Sequence, residues 1–109
     1  MEEYQITASQ MEADRRNKVI LDLRKKQDFQ FGSCPGAVNL WWEKLEQTLE
    51  EEGIETLQIP RNLPVYLLCY TGETSDEYAQ YFRKCGYEAY SIAGGYRSYL
   101  RWLFEKEME

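Results

Sequence analysis

The hydrophobic positions of the chain form short, dense runs separated by longer segments with helical spacing. Residues 19–23 and Val65–Leu68 are the clearest runs, and their aliphatic residues are typical of buried strands. Residues 75–84 instead place apolar side chains at i, i+3, i+4 and i+7, which predicts one face of a helix. Strands that alternate with helices predict a mainly parallel sheet with right-handed crossovers and helices on both faces.

Weaker patterns complete a prediction of about five strands. Further strands are predicted at residues 4–7, 37–40 and 87–92, and further helices at residues 41–52 and 96–107, with a small helix within residues 8–17 around Met11. Tyr99, Leu100 and Leu103 are expected on the buried face of the last helix. Phe29 and Phe31 are candidate anchors of a polar segment, and residues 53–64 are expected to be an irregular linker.

The turn at residues 69–75, Cys-Tyr-Thr-Gly-Glu-Thr-Ser, is the candidate reaction site. Cys69 ends a strand, where parallel sheets place their ligands. Thr74 and Glu77 form the Thr-x-x-Glu pattern of a capping box, which predicts a helix starting at Ser75. Gly72 allows the backbone to curl so that N–H groups converge on one point. The pattern therefore predicts a cysteine nucleophile whose thiolate is stabilised by amides.

The amino-acid composition restricts the mechanisms available to Cys69. The 109 residues include no histidine, so Cys-His catalysis is excluded within the chain. Three cysteines form no Cys-x-x-Cys pair, which predicts reduced thiols and neither a bound metal nor a cofactor. Cys85 lies on the predicted inner face of its helix with Tyr78, Tyr81 and Phe82, and a core role is favoured over a second redox thiol.

Length and charge restrict the class of protein. The length predicts one domain over residues 1–109. The formal net charge of -6 argues against a nucleic-acid partner, because no basic stripe is available to replace counterions. No apolar run is long enough for a membrane span, and the start Met1-Glu2-Glu3-Tyr4 does not resemble a secretory signal. A cytoplasmic location without membrane partners is expected.

Two opposite charges stand at the strand end that is expected near Cys69. Asp22 and Arg24 stand at the end of the second predicted strand, at the same edge of the sheet as Cys69. An ordinary structural ion pair is the favoured interpretation, and such pairs contribute modestly to stability. Hydrogen bonds there that brace the neighbouring loops are the alternative.

Several stretches together resemble a single-domain rhodanese-like sulfurtransferase over nearly the whole length. The matching stretches are residues 19–24 (Val-Ile-Leu-Asp-Leu-Arg), Phe29, Gly32, residues 35–40 (Pro-Gly-Ala-Val-Asn-Leu), residues 67–75, residues 85–87 (Cys-Gly-Tyr) and residues 92–95 (Ile-Ala-Gly-Gly). Their order and spacing agree with the family. The resemblance implies an α/β, rhodanese-like three-layer fold with a five-stranded, mainly parallel sheet.

The resemblance also implies a reaction and its residues. Cys69 would be the catalytic residue that accepts a sulfane sulfur as a persulfide, from thiosulfate or a persulfide donor, and passes it to cyanide, a thiol or a protein. Substrate would be bound by the loop amides of Tyr70, Thr71, Gly72, Glu73 and Thr74, with Ser75, Asp22 and Arg24 supporting the loop. The six residues 69–74 have the loop length associated with sulfur transfer. A tyrosine-phosphatase loop would need Arg at the position of Ser75, which places phosphatase activity last.

Departures from the family pattern affect the expected substrate. Ser33 and Cys34 replace a usual His and Ile, and a small buried apolar thiol is the favoured interpretation of Cys34 over a disulfide with Cys69. The loop lacks the cations of thiosulfate-specific members, so weak thiosulfate binding is expected. Arg97 is the one cation expected near the pocket, as a possible anion contact or as a solvated residue at a helix start. A non-catalytic binding or regulatory module is the alternative function.

Overall fold

The computed structural model describes residues 3–108, so the prediction about Met1 and Glu2 lies outside the described residues. The sheet strands are β1 (Gln5–Ile6), β2 (Val19–Asp22), β3 (Val38–Asn39), β4 (Val65–Leu68) and β5 (Ala89–Ile92). The helices are α1 (Ala8–Ala13), α2 (Lys26–Phe31), α3 (Trp42–Glu51), α4 (Glu73–Lys84) and α5 (Gly95–Glu107). All strand pairs are parallel, in the order β1-β5-β4-β2-β3, so the predicted five-stranded α/β fold is confirmed.

The central strand β4 separates two hydrophobic cores. Val65, Leu67 and Cys69 point to the core on the α3 and α4 side, whereas Tyr66 and Leu68 point to the core that contains residues of α1 and α5. All four residues of β4 are buried, which explains why this strand is a continuous apolar run without alternation. The alternation of side chains places the Cys69 sulfur on the α4 side of the sheet.

Helix α4 presents a slightly different face to the sheet from the predicted one. Ser75, Ala79 and Phe82 are its buried residues, whereas Tyr81 is 40% exposed. The small side chains of Ser75 and Ala79 allow α4 to lie close against the sheet. Tyr78 packs at the border of this contact, where a tyrosine ring can be covered while its hydroxyl reaches water. The predicted core position of Tyr81 is therefore wrong.

Three other expectations about packing also need correction. Phe31 ends α2 and is 95% exposed, so it is not an anchor, whereas Phe29 is half-buried. Leu100 is exposed because the inner face of α5 runs through Gly95 and Tyr99, four residues apart. The linker also contains a short 3-10 helix, Ile54–Leu57, which buries Ile54 in the core and is not irregular throughout.

Candidate active site

The Cys69 sulfur lies at the start of α4 and accepts two backbone hydrogen bonds. The N–H groups of Gly72 and Ser75 donate to Sγ over 3.1 and 3.3 Å. The thiol itself donates to Ser75 Oγ over 3.4 Å. Cys69 is only 4% exposed, so its sulfur sits in a nearly enclosed cradle of polar groups. Such a cradle stabilises a negatively charged sulfur by fixed dipoles.

Helix α4 begins at Glu73, two residues earlier than predicted, and this start of the helix forms the cradle. Gly72 is the N-cap residue with φ 102°, a left-handed conformation that turns the chain into the helix. The first N–H groups of any helix have no acceptor within the helix. Ser75 is the third helical residue, and its N–H uses the Cys69 sulfur as its acceptor. Thr74 makes no capping hydrogen bond, so the predicted capping box is wrong.

The turn before α5 holds the other side of the loop. The N–H of Tyr96 donates to Cys69 O over 2.7 Å, and the N–H of Arg97 donates to Tyr70 O over 3.3 Å. Gly95 has φ 63°, and a Cβ atom there would lie 2.5 Å from Cys69 O. Only glycine allows the two backbones to approach this closely. The first turn of α5 therefore fixes the peptide groups that carry Cys69 and Tyr70.

Asp22 and Arg24 form a buried brace beside the loop. Their ion pair measures 2.8 Å, and the two side chains are 0% and 5% exposed. Arg24 also donates to Gly32 O over 2.6 Å, and Ser33 Oγ donates to Asp22 Oδ2 over 2.6 Å. Burial acts to lower the pKa of Arg24, but the hydrogen bonds and charge of Asp22 outweigh it and raise this pKa. The pair ties the 32–33 turn to β2.

The brace reaches the loop through aromatic rings. The Arg24 guanidinium carbon lies 3.8 Å from the ring centroid of Tyr96 and 6.0 Å from that of Tyr70. Asn39 completes the brace by donating to the backbone oxygens of Asp22 and Arg24. The structure therefore brings Asp22 and Arg24 together with the Cys69 loop, as the sequence predicted, through contacts that also include Tyr96.

The predicted loop residues differ in their position around the sulfur. Tyr70, Thr71 and Glu73 are exposed, whereas Gly72 and Thr74 are half-buried. Among the predicted binding amides, that of Gly72 donates to Sγ. Ser75, predicted as loop support, contributes both its N–H and its hydroxyl to the sulfur cradle.

Arg97 contributes its backbone to the loop. Its N–H donates to Tyr70 O over 3.3 Å, and its side chain is exposed. The Tyr70 hydroxyl accepts from the backbone N–H of Lys25 over 3.4 Å and hydrogen-bonds to Asp28. The Lys25 ammonium itself lies 5.9 Å from the ring centroid of Trp41. An anion contact by the Arg97 guanidinium therefore stays a prediction.

Ser91 and Tyr96 are site residues that the sequence analysis missed. Ser91 Oγ lies 2.8 Å from Ser75 Oγ, and both residues are buried. Tyr96 follows the Gly94-Gly95 turn and contacts the loop and Arg24. A polar residue within the otherwise apolar run of β5 was the available signal for Ser91. No local signal indicates the role of Tyr96.

The other two cysteines lie away from the cradle. Cys34 is buried in the core that contains residues of α1 and α5, where burial and the charge of Asp22 raise its pKa to about 12. Cys85 is half-buried against the opposite core. Both are free thiols, as predicted, and Cys34 and Cys69 belong to different cores.

Two kinds of feature are absent from residues 3–108. Over residues 3–108, no cluster of three or more cysteine, aspartate or glutamate side chains is arranged to hold a metal ion. In the same part of the chain, no helix has the length and apolar character needed to cross a membrane.

These features define a parallel α/β domain with a buried cysteine cradled by amides at the carboxyl end of its central strand. The sequence profile of the rhodanese-like domain family matches residues 7–101. The chain therefore belongs to the rhodanese-like domain family.

A curated relative shares part of this sequence. The adenylyltransferase and sulfurtransferase UBA4 of Meyerozyma guilliermondii is 41% identical over 58 residues. The match covers 52% of this chain and 14% of that protein, so the chain matches a small part of its relative's length.

Solved structures show the same fold. The human single-domain sulfurtransferase TSTD1 is 23% identical, with a TM-score of 0.72 over 92% of this chain and 97% of its own. A rhodanese-related protein from Thermoplasma volcanium is 20% identical, with a TM-score of 0.73 over 89% of this chain and 90% of its own. A rhodanese homologue from the extremely thermophilic bacterium Thermus thermophilus is 26% identical, with a TM-score of 0.61 over 86% of this chain and 98% of its own.

Proposed function

We propose that the protein is a sulfurtransferase or sulfur carrier that moves a sulfane sulfur through a persulfide on Cys69. The observation that carries this proposal is the pair of N–H groups, from Gly72 and Ser75, that converge on the Cys69 sulfur. Membership of the rhodanese-like family and the sulfurtransferase names of UBA4 and TSTD1 support sulfur transfer in general. The persulfide on Cys69 is the more specific part of the proposal.

The first step forms the persulfide. The Cys69 thiolate attacks the terminal sulfane sulfur of the donor and forms a new S–S bond. The donor's own bond to that sulfur breaks, and its electron pair leaves with the donor as a thiolate, or as sulfite when the donor is thiosulfate. The amides of Gly72 and Ser75 stabilise the attacking anion before the step. The neighbouring loop amides then surround the negative outer sulfur.

The second step returns the enzyme to its starting state. A nucleophilic acceptor, such as a thiol, cyanide or a protein thiolate, attacks the outer sulfur. The S–S bond to Cys69 breaks, and its electron pair remains on the Cys69 sulfur. The same cradle that stabilised the nucleophile now stabilises the leaving group, so no general base is required within the enzyme.

The charges around the loop favour a persulfide donor over thiosulfate. Glu73 and Asp76 lie in the first turn of α4, and Asp28 lies beside Tyr70. These carboxylates oppose a doubly charged small anion more strongly than a singly charged persulfide. Arg97, whose backbone joins Tyr70, offsets this effect in part. Turnover with thiosulfate is therefore weak, and the donor and acceptor are thiols or proteins.

Intact-mass measurement tests the proposal directly. The protein is incubated with a persulfide donor and, separately, with thiosulfate, and is compared with the Cys69→Ala variant. We expect one added sulfur atom on the wild-type protein, lost again on addition of cyanide, and no addition to the variant. If the Cys69 thiol is free but takes up sulfur from neither donor, the protein is a binding module of this family and the proposal is wrong.

A further inference from the structure

Two serine hydroxyls continue from Cys69 into the protein interior. Cys69 Sγ lies 3.4 Å from Ser75 Oγ, which in turn lies 2.8 Å from Ser91 Oγ. Ser75 belongs to α4 and Ser91 to β5, and the two residues are 0% and 1% exposed. A buried polar group is costly unless it is hydrogen-bonded. The hydroxyls of Ser75 and Ser91, called the hydroxyl chain below, therefore have a defined arrangement of donors and acceptors.

The Ser75 hydroxyl can donate only one hydrogen bond at a time. Its hydroxyl has one proton and three acceptors within reach, because Gly72 O also lies 3.3 Å from Ser75 Oγ. When Ser91 donates to Ser75, the Ser75 proton is left for Gly72 O or the Cys69 sulfur. A sulfur anion is the stronger acceptor of the two, because charged hydrogen bonds exceed neutral ones.

We infer that Ser91 is a positioning residue that acts through Ser75 to generate and hold the Cys69 thiolate. The S–H bond of Cys69 breaks and its proton passes to Ser75 Oγ, while the Ser75 proton passes to Ser91 Oγ. The Ser91 proton leaves to solvent, and the electron pair of the S–H bond stays on sulfur. Each serine again carries one proton, and both hydroxyls now donate toward the anion.

A cavity beside Ser91 gives the proton a route out of the protein. This cavity has a volume of about 300 Å³ and is lined by Ser91 together with Gln5, Thr71, Gly72 and Asp76, among others. Cys69 is not among its lining residues. Because the chain contains no histidine, a hydroxyl chain to such a cavity replaces the base that many cysteine enzymes use.

The charged groups around Cys69 remain the same when Ser91 is changed. They are Glu73 and Asp76 of α4, Asp22 of β2 and the following Arg24, Asp28 of α2, and Arg97 of α5. Ser91 carries no charge of its own. A change in the pH profile of Cys69 on substitution of Ser91 therefore reports on the hydroxyl chain.

This inference rests on the proposed role of Cys69, but its test does not require sulfur transfer. The rate of Cys69 alkylation by iodoacetamide is measured against pH, with peptide mapping to separate the three cysteines. We expect Ser91→Ala to slow alkylation about tenfold at neutral pH and to move the profile upward by about one pH unit. Ser98→Ala, a half-buried serine outside the hydroxyl chain, should keep the wild-type profile.

Two further comparisons separate positioning from packing. Thr and Val have the same shape at position 91 but only Thr has a hydroxyl, so Ser91→Thr should alkylate faster than Ser91→Val by about tenfold. In the Ser75→Ala background, Ser91→Ala should have no additional effect, because Ser91 acts through Ser75. If Ser91→Ala does not fold, the comparison of Ser91→Thr with Ser91→Val still tests the inference.

Three results would overturn the inference: a wild-type pH profile in Ser91→Ala, equal rates for the Thr and Val variants, or a full additional effect in the Ser75→Ala background. Failure of the proposed function is recognised separately, as a free Cys69 thiol that takes up no sulfur. The alkylation profiles remain interpretable in that case.

Discussion

Single atoms decide whether the Cys69 loop can adopt its shape. Gly95 provides the clearest case, because a Cβ atom there would lie 2.5 Å from Cys69 O and 2.6 Å from the Tyr70 carbonyl carbon. These are backbone atoms of the loop itself, so relief of the clash must move the peptide groups next to the sulfur. A single methyl group at this position therefore affects both stability and the reactivity of Cys69.

We predict that Gly95→Ala destabilises the protein by about 2 to 4 kcal/mol, as the sum of a left-handed backbone conformation and a steric clash. Gly36→Ala is the control, because Gly36 also has a positive φ but has nothing within 4 Å of an added Cβ. That variant should lose only the backbone cost of the positive φ, about 1 to 2 kcal/mol. Urea unfolding measures both, and equal losses would contradict the role of close approach.

Cys34 illustrates how burial controls a thiol. Its pKa is raised to about 12, first by burial and then by the charge of Asp22. We predict that iodoacetamide leaves Cys34 unmodified in the folded protein until the pH approaches about 12, and modifies it readily once urea unfolds the chain. Mass spectrometry of proteolytic peptides gives the extent at each pH. Efficient labelling of folded Cys34 near neutral pH would show that this thiol is accessible.

At the scale of elements, the brace of Asp22 and Arg24 joins segments that are separated in the sequence. It connects the end of β2 to the 32–33 turn, and Asn39 of β3 donates to its backbone. A buried ion pair adds little relative to apolar residues, but removal of one partner leaves an uncompensated buried charge. The brace is therefore sensitive to loss of either member.

We predict that Arg24→Gln lowers the free energy of unfolding by about 3 to 5 kcal/mol, because the Asp22 carboxylate is left without its cation. Arg24→Lys should recover little of this loss, since lysine lacks the planar fork that contacts both carboxylate oxygens. Arg61→Gln is the matched control, because Arg61 pairs with the exposed Glu55. Similar urea midpoints for the Arg24 and Arg61 variants would contradict this account.

At the scale of the whole molecule, one exposed arginine joins residues that are distant in the sequence. Arg16 pairs with Asp14 over 2.9 Å and with Glu88 over 2.7 Å, close to the start of β5. The Arg16 hydrogen bonds are the largest cause of the lowered pKa of both carboxyl groups, and Tyr66 and Tyr90 respectively contribute next. Protonation of either carboxylate weakens the link.

The sign of the pH effect follows from these shifts. Both carboxyl groups have folded-state pKa values below the ordinary values of 3.8 and 4.5, so their contribution to stability is present above those values and is lost as the pH falls below them. We predict that Arg16→Gln makes stability fall less steeply below about pH 4.5. The neighbouring Arg15→Gln should retain the wild-type slope, and urea midpoints between neutral pH and about pH 3 compare the two. Identical slopes would contradict the link.

The sequence by itself determined the strands and placed Cys69, Asp22 and Arg24 at the ends of strands. Apolar runs report directly on burial, and a polar turn after such a run marks the edge where parallel sheets place their sites. Local sequence patterns were less reliable for the start of a helix and for the face that it buries. Thr74 and Glu77 matched a capping box, but the left-handed Gly72 and the Cys69 sulfur began the helix earlier. Leu100 fitted a helical period, but Gly95 and Tyr99 set the buried face.

Only the tertiary structure decided which distant residues complete the cradle. Ser91 lies 22 positions from Cys69 in the sequence, and the pairing of β4 with β5 brings it to Ser75. Gly95 lies close to the Cys69 carbonyl because α5 begins beside the loop. Such contacts depend on the packing of whole elements, whereas sequence patterns report on neighbours a few residues apart. The sequence alone therefore located the Cys69 sulfur, and the fold supplied the groups that surround it.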